Sequence, residues 1–331
     1  MRPFILVFLV ALAVTFVSIP WIMRLAVATG FVDNPSARKV HASPIPLMGG
    51  VAIFAGAIFA ILLFFREDVP PTITGAVIAG TMVALVGLID DWRALPSWLR
   101  LIVHLAAIGV LIYFGVRVRL PIPEWLNIAL TIFWVVGIIN AVNLLDNMDG
   151  LSAGVSAVAA AFMMLLGAFN GQILVSALAA AILGACLGFL RYNFKPAQIF
   201  MGDAGAYFLG FWLAVLGIQL RFPENVNFVT WMVPVAILGL PIFDTTLVVI
   251  SRFRRRLHPF TGGKDHTSHR LVRSGFSQRE AVLILYLISS IFGMVALFIT
   301  QADVLEGYFI GGVVVVICLY AIYRLEKNLR L

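Results

Sequence analysis

The chain has 331 residues, 62% of them hydrophobic and 12% charged, with 23 Lys and Arg against 16 Asp and Glu for a net charge of +7. A soluble surface needs roughly a quarter to a third charged residues, so this composition excludes a soluble globular domain and predicts an all-α, polytopic membrane helix bundle. The basic excess reads as a topology signal with some attraction for anionic lipid or substrate, and gives no ground for a nucleic-acid partner.

About 20 apolar residues make one span, and the chain offers eleven stretches, ten if one is re-entrant: 4–23, 49–65, 73–89, 99–114, 128–142, 154–169, 173–190, 207–220, 231–250, 281–299 and 308–323. The first is followed by Ala26-Val27-Ala28, which resembles a signal-peptide cleavage site. Charge parity argues for a retained span. Connections after odd-numbered spans, together with the C-terminal tail, carry most of the 23 Lys and Arg, so the positive-inside rule puts the N-terminus outside and those connections and the C-terminus in the cytoplasm. Cys186 and Cys318 fall inside spans, as small apolar residues. With no long linker and no internal repeat, 1–331 reads as a single transmembrane domain.

The unusual polar clusters, Asp33 to His41, Asp90-Asp91, Asn140 to Asp149, Asn193 to Asp203 and Lys264 to Arg273, all fall on or beside odd connections. The loops 24–48, 90–98, 143–153, 191–206 and 251–280 are therefore expected to build one cytoplasmic active site. A transporter or flippase would place its polar groups near the bilayer midplane in interrupted, repeated helices, and neither feature is visible.

In chain order, Asp90 and Asp91 are adjacent acids that point in different directions on a helix, so at most one is expected to bind a given ion. Asn140, Asn143, Asp146 and Asp149 step by three, a series that drifts about 60° per step on an α-helix. They can converge only if the helix tightens or unwinds, for which Gly150 is suited. Gly202-Asp203-Ala204-Gly205 reads as a tight turn opening a helix, able to aim a carboxylate at a metal or backbone amides at phosphate, while an aspartate N-cap would read the same. Lys195 and Arg191 lie nearby as phosphate partners. His266 and His269, with Arg270 beside them, fit binding of a diphosphate or a metal, though a zinc site lacks further ligands. Carboxylates, amides and a basic loop on one face of a membrane domain fit phosphoryl transfer with Mg2+, in which one substrate is a lipid.

Five motifs, VDNPSARKVHASPIPLMGG, GLIDDWRALP, NAVNLLDNMDGLSAG, YNFKPAQIFMGDAGAYFLGF and GKDHTSHRLVRSGFS, occur in this order over nearly the whole chain. In them the sequence resembles the polyprenyl-phosphate N-acetylhexosamine-1-phosphate transferase family, which includes undecaprenyl-phosphate GlcNAc-1-phosphate transferase and phospho-N-acetylmuramoyl-pentapeptide transferase. The resemblance implies transfer of a sugar 1-phosphate from a UDP-sugar to undecaprenyl phosphate, on the cytoplasmic side of the bacterial inner membrane, with Mg2+ (or Mn2+) as cofactor. It further implies Asp203 as the main Mg2+ ligand, and Asp90 and Asp91 as a pair serving metal, diphosphate or the lipid phosphate, with Asp91 the second metal ligand. Asn143, Asp146, Asp149 and Asn193 are implied to face the nucleotide and sugar, and Phe200 to stack on uracil. Lys39, His41, His266, His269 and Arg270 are implied near the diphosphate or sugar. Bundles of this kind are commonly homodimers.

The sequence departs from the family at Asn147, which replaces a common glycine, at Ala206, which replaces a serine, and in DHTSH, which is poorer in histidine. The last favours a simple UDP-N-acetylhexosamine, such as UDP-GlcNAc, over the muramoyl-pentapeptide donor. An aspartate-rich membrane prenyltransferase is a weaker rival, since only Asp90-Asp91 approximates its two motifs and FMGDAG is left without a role.

Overall fold

The computed structural model describes residues 3–33, 44–65, 69–222, 225–258 and 263–327. The chain divides into two compact units, Met1–Leu220 and Arg221–Leu331. The first holds α1 (Pro3–Thr29), β1 (Val32–Asp33), β2 (Ile45–Pro46), α2 (Gly49–Phe64), α3 (Pro71–Trp92), α4 (Ser97–Tyr113), α5 (Glu124–Leu145), α6 (Leu151–Phe169), α7 (Ile173–Asn193) and α8 (Gly202–Gln219). The second holds α9 (Asn227–Thr230), α10 (Met232–Ile237), α11 (Gly239–Arg254), α12 (Thr267–Arg273), α13 (Gln278–Gln301) and α14 (Val304–Lys327).

Among the described residues, α1, α3, α5, α6, α7, α13 and α14 are long and apolar enough to cross a membrane, and α2 and α4 are shorter apolar helices. The protein is an all-α polytopic membrane bundle with at least seven such helices. Helices suit hydrocarbon because each satisfies its own backbone where no water is present to do so. Proline sets several boundaries: Pro70 and Pro71, Pro96 and Pro123 stand at the N-termini of α3, α4 and α5. A missing N–H costs nothing there and the fixed φ suits the entry.

The core of the first unit forms around α8, which is buried from Ala204 to Ile218 and packs against α2, α3, α5, α6 and α7. A helix apolar on every side is expected at the centre of a bundle. Its polar first turn is thereby fixed at one end of the unit. Alongside, α1 lies on α7, where Gly184 and Gly188, one turn apart, face the backbone of α1 at Phe8 and Leu12. Small residues at this spacing let two membrane helices approach closely.

Two features differ from the sequence expectation. The apolar stretch 231–250 forms two pieces, α10 and α11, that meet at Leu238 and Gly239. Pro241 withholds the N–H that would bond the Ile237 carbonyl across this junction, and a Cβ at Gly239 would run into the Phe292 ring of α13. The second is a small antiparallel pair in which Val32 is opposite Pro46 and Asp33 opposite Ile45. It brings Asp33 beside the entry to α2.

Candidate active site

A cavity of about 470 Å3 opens in the first unit. Asp33, Asp91, Asp146, Asp149 and Asp203 line it together with Asn143, Asn193 and Phe200, and among the described residues no Lys, Arg or His does. Four of the five sequence clusters meet here, each delivered by a different element end.

The first turn of α8 sets the floor. Its amides at Asp203 and Ala204 donate to Asp91 Oδ1 and Oδ2 at 2.8 and 3.1 Å. The cap is thus a carboxylate from α3, and Asp203 itself sits one residue inside the helix. Both amides are engaged by one carboxylate. The entry requires Gly202 at φ +71°, where a Cβ would lie 2.5 Å from Asp91 Oδ2. A Cβ on Gly87 would come within 2.6 Å of the Ala204 backbone, and Gly50 abuts Gly205 just as closely. The amides of Gly49 and Gly50 donate to Phe200 and Met201 carbonyls at 2.9 and 2.8 Å, and Phe200 N–H donates to Pro46 O at 2.8 Å. The glycines of PLMGG therefore hold the FMGDAG backbone directly.

Asp203 is aimed by Asn143, whose Nδ2 donates to Oδ1 at 2.6 Å. The three-residue series resolves as an unwinding, since α5 ends at Leu145 and Gly150 takes φ +79° before α6. Asn140 stays on the helix and donates to its own Val136 carbonyl at 2.8 Å. Beyond the helix end, burial, followed by the charges of Asp203 and Asp149, pushes the Asp146 carboxyl up to about 7. Asp149 is paired with Lys195 Nζ at 3.2 Å and accepts the Ala197 amide at 3.1 Å. Asn193 is buried, accepting the Gly150 amide and donating to Ile199 O, each at 2.9 Å. Its contacts tie the two asparagine-bearing and aspartate-bearing turns together.

Asp90 and Asp91 divide as their adjacency requires. Where Asp91 lines the cavity, Asp90 accepts from the Leu95 amide at 2.6 Å, from Arg100 Nη1 at 2.9 Å and from the Tyr207 hydroxyl at 3.1 Å. Arg100 and Tyr207 escaped the sequence reading. Tyr207 follows Asp203 by four residues, which places both on one side of α8, and that spacing was the available signal.

In the second unit, the segment Asp265 to Arg270 is tightly held. Arg270 is buried and donates to Asp265 O at 2.8 Å, Leu325 O at 2.8 Å, Ser251 Oγ at 3.2 Å and Glu326 Oε1 at 2.7 Å. Asp265 pairs with Arg252 at 3.3 Å and Arg255 at 2.7 Å. His266 Nδ1 lies 2.8 Å from Asp244 Oδ2, and the His266 and His269 ring centroids are 5.8 Å apart. Burial, followed by the neighbouring His266, Lys264 and Arg273, depresses the His269 pKa to about 4. Asp244, another residue the sequence reading missed, is an acid within an apolar run, a functional candidate by default. Lys39 and His41 lie outside the described residues.

The sequence model of "Glycosyl transferase family 4" matches residues 73–221. The Bacillus subtilis protein named "Probable undecaprenyl-phosphate N-acetylglucosaminyl 1-phosphate transferase" is 33% identical over 317 residues, covering 92% of this chain and 87% of that protein. The chain belongs to the polyprenyl-phosphate N-acetylhexosamine-1-phosphate transferase family. Within this family, the decaprenyl-phosphate N-acetylglucosaminephosphotransferase of Mycolicibacterium smegmatis is 32% identical over 87% of this chain and 80% of its own length. The undecaprenyl-phosphate alpha-N-acetylglucosaminyl 1-phosphate transferase of Yersinia pestis is 29% identical over 88% and 82%. Members are phosphoglycosyl transferases, and this chain is an enzyme of that Mg2+-dependent class.

The donor set fits such an ion. Among the described residues no three Asp, Glu, His or Cys side chains stand close enough to enclose a metal by themselves. Mg2+ rarely needs such a cage, because it keeps waters and takes one or two carboxylates plus substrate phosphates. Asp203 and Asp91 offer hard oxygens at the cavity, and Asp91 keeps lone pairs beyond those its amide contacts use.

Proposed function

We propose that the protein transfers N-acetylglucosamine 1-phosphate from UDP-N-acetylglucosamine to undecaprenyl phosphate, releasing UMP and a lipid diphosphate sugar that initiates cell-envelope glycan synthesis. The observation that carries this reading is a cavity lined by five carboxylates without a basic side chain among the described residues. Such a cavity repels a nucleotide diphosphate unless a divalent cation stands between them. Its size falls in the range that suits a small-molecule ligand, roughly 300 to 1,000 Å3.

In this reading Asp203, aimed by Asn143, and Asp91 hold the metal, which supplies positive charge against the diphosphate when bound. Asn143, Asp146, Asp149 and Asn193 shape the nucleotide and sugar side, and Phe200 offers its ring to uracil. A lipid phosphate oxygen attacks the sugar-bearing phosphorus as the bond to UMP breaks. Asp90 orients the acceptor or takes its proton, with Arg100 beside it as a cationic contact. Lys39, His41, His266, His269 and Arg270 are further substrate-binding candidates on sequence grounds. A covalent aspartyl-phosphate route would instead show exchange of labelled UMP without acceptor.

The same proposal includes about eleven spans with the N-terminus outside, one functional domain over 1–331 and the active site on the cytoplasmic side of the inner membrane, following the distribution of Lys and Arg. A homodimer completes it. The test is transfer of label from UDP-GlcNAc into extractable lipid by purified protein with undecaprenyl phosphate and Mg2+. Product that vanishes with chelator and in Asp203→Asn supports the reading, and absence of UDP-sugar turnover in folded protein sinks it.

A further inference from the structure

Asp244 sits on α11 within the apolar run GLPIFDTTLVVI and is 1% exposed. A carboxylate so placed is costly unless both oxygens are satisfied. Its two oxygens meet consecutive residues at the start of α12: Oδ2 lies 2.8 Å from His266 Nδ1, and Oδ1 accepts the Thr267 amide at 2.7 Å. The backbone contact fixes the carboxylate, and the fixed carboxylate then dictates the ring.

We propose that Asp244 is a positioning residue for His266, holding the proton on Nδ1 and so leaving Nε2 as the one ring nitrogen able to meet substrate. The inference rests on the reading of His266 as a substrate-binding group and assigns its working atom. An acceptor opposite one ring nitrogen sets the tautomer and the ring plane together. With ring orientation removed as a variable, His266 meets its ligand without the entropy of ordering its side chain at that moment. His269 differs, because the one hydrogen bond described for its ring is with Ser268 Oγ at 3.4 Å, and no carboxylate is described against either of its ring nitrogens. Of the two histidines, His266 is the preorganised one.

The chemistry suggests a nearly isosteric inversion. In Asp244→Asn, the amide oxygen still accepts from Thr267 N–H, while the amide nitrogen now faces Nδ1 and donates to it. The proton of the neutral ring must then move to Nε2. Alanine would be uninformative, since it leaves the Thr267 amide without its acceptor.

The experiment combines histidine 15N NMR in detergent with transfer kinetics for the wild type, Asp244→Asn, His266→Ala and the double variant. The protein has five histidines, so the His266 signal is the one missing from His266→Ala. The expected result is a protonated Nδ1 in the wild type and a protonated Nε2 in Asp244→Asn. Transfer (kcat/KM) should fall at least about tenfold in Asp244→Asn, a loss on the scale of second-shell replacements, and the double variant should be no slower than His266→Ala. An unchanged tautomer in Asp244→Asn, or losses that multiply in the double variant, would overturn the inference while leaving the transferase reading intact. Wild-type transfer by His266→Ala would instead remove His266 from substrate binding, and the positioning role with it.

Discussion

The contact between Asn143 and Asp203 concentrates the account at its smallest scale. A 2.6 Å bond from an amide to a carboxylate fixes where the charge points, and hydrogen bonds to charged groups are worth about 1.5 to 3 kcal/mol. Asn143→Ala should therefore raise the Mg2+ concentration needed for half-maximal transfer by about tenfold or more, with full activity approached at saturation; a simple fall in kcat at unchanged Mg2+ dependence would contradict the aiming role. Asp203→Asn should lose about 10²-fold or more, the scale of removing a group that stabilises the reacting charge, and added Mg2+ should not restore it. In the Asp265 to Arg270 segment, protonation works against the fold. The His269 pKa is depressed to about 4, against an ordinary value near 6.5, so its contribution is complete above about pH 6.5 and is lost as pH falls toward 4. For Asp265, burial raises the pKa, but the bonds and charges of Arg255 and Arg252 win and hold it low. Its contribution is present above the ordinary carboxylate range and is lost as pH falls through the depressed value. Asp146, whose carboxyl is pushed up to about 7, acts in the opposite direction over the same window, so the test is a difference: relative to His269→Gln, the wild-type melting midpoint should be level from pH 8 to about 6.5 and decline as the pH drops toward 4.

Element ends, more than element interiors, make the site. The cavity gathers the close of α3, the unwound end of α5 and the opening turn of α8, and each was readable in part from sequence. The apolar runs announced the helices, and Gly150 announced that the asparagine and aspartate series leaves the helix. The Asp91 cap on α8 was not readable, because a carboxylate contributed by another helix leaves no local spacing, and Asn193 and Asp149 gave no sign that their contacts would be internal. The break at Leu238 was written in Pro241 but lost in the hydropathy of the run around it, and the same apolar surroundings concealed Asp244. At Gly202 the demand is local and strict. Gly202→Ala adds the left-handed penalty of roughly 1 to 2 kcal/mol and presses a methyl on Asp91, so it should lower both the melting midpoint and activity. A variant with wild-type values of both would show that this turn does not depend on glycine.

Across each unit, charge is handled by enclosure. The second unit binds the end of α14 to α12 through Arg270 and Glu326, with side chains 5% and 6% exposed. Removing one member of a buried pair strands the other, at a cost of about 3 to 5 kcal/mol, so Glu326→Ala should melt well below the wild type and below a Glu326→Gln variant that keeps an acceptor. The first unit gathers five Asp side chains around one cavity, Asp149 among them paired with Lys195, and in the proposed reading they act on a nucleotide diphosphate through a cation. For that role of the cation the direct measurement is binding of UDP-GlcNAc to purified protein, titrated with and without Mg2+, in the wild type and in Asp203→Asn. Binding by the wild type should be saturable, require Mg2+ and disappear in Asp203→Asn. Equal binding in the presence of chelator would contradict the metal's role.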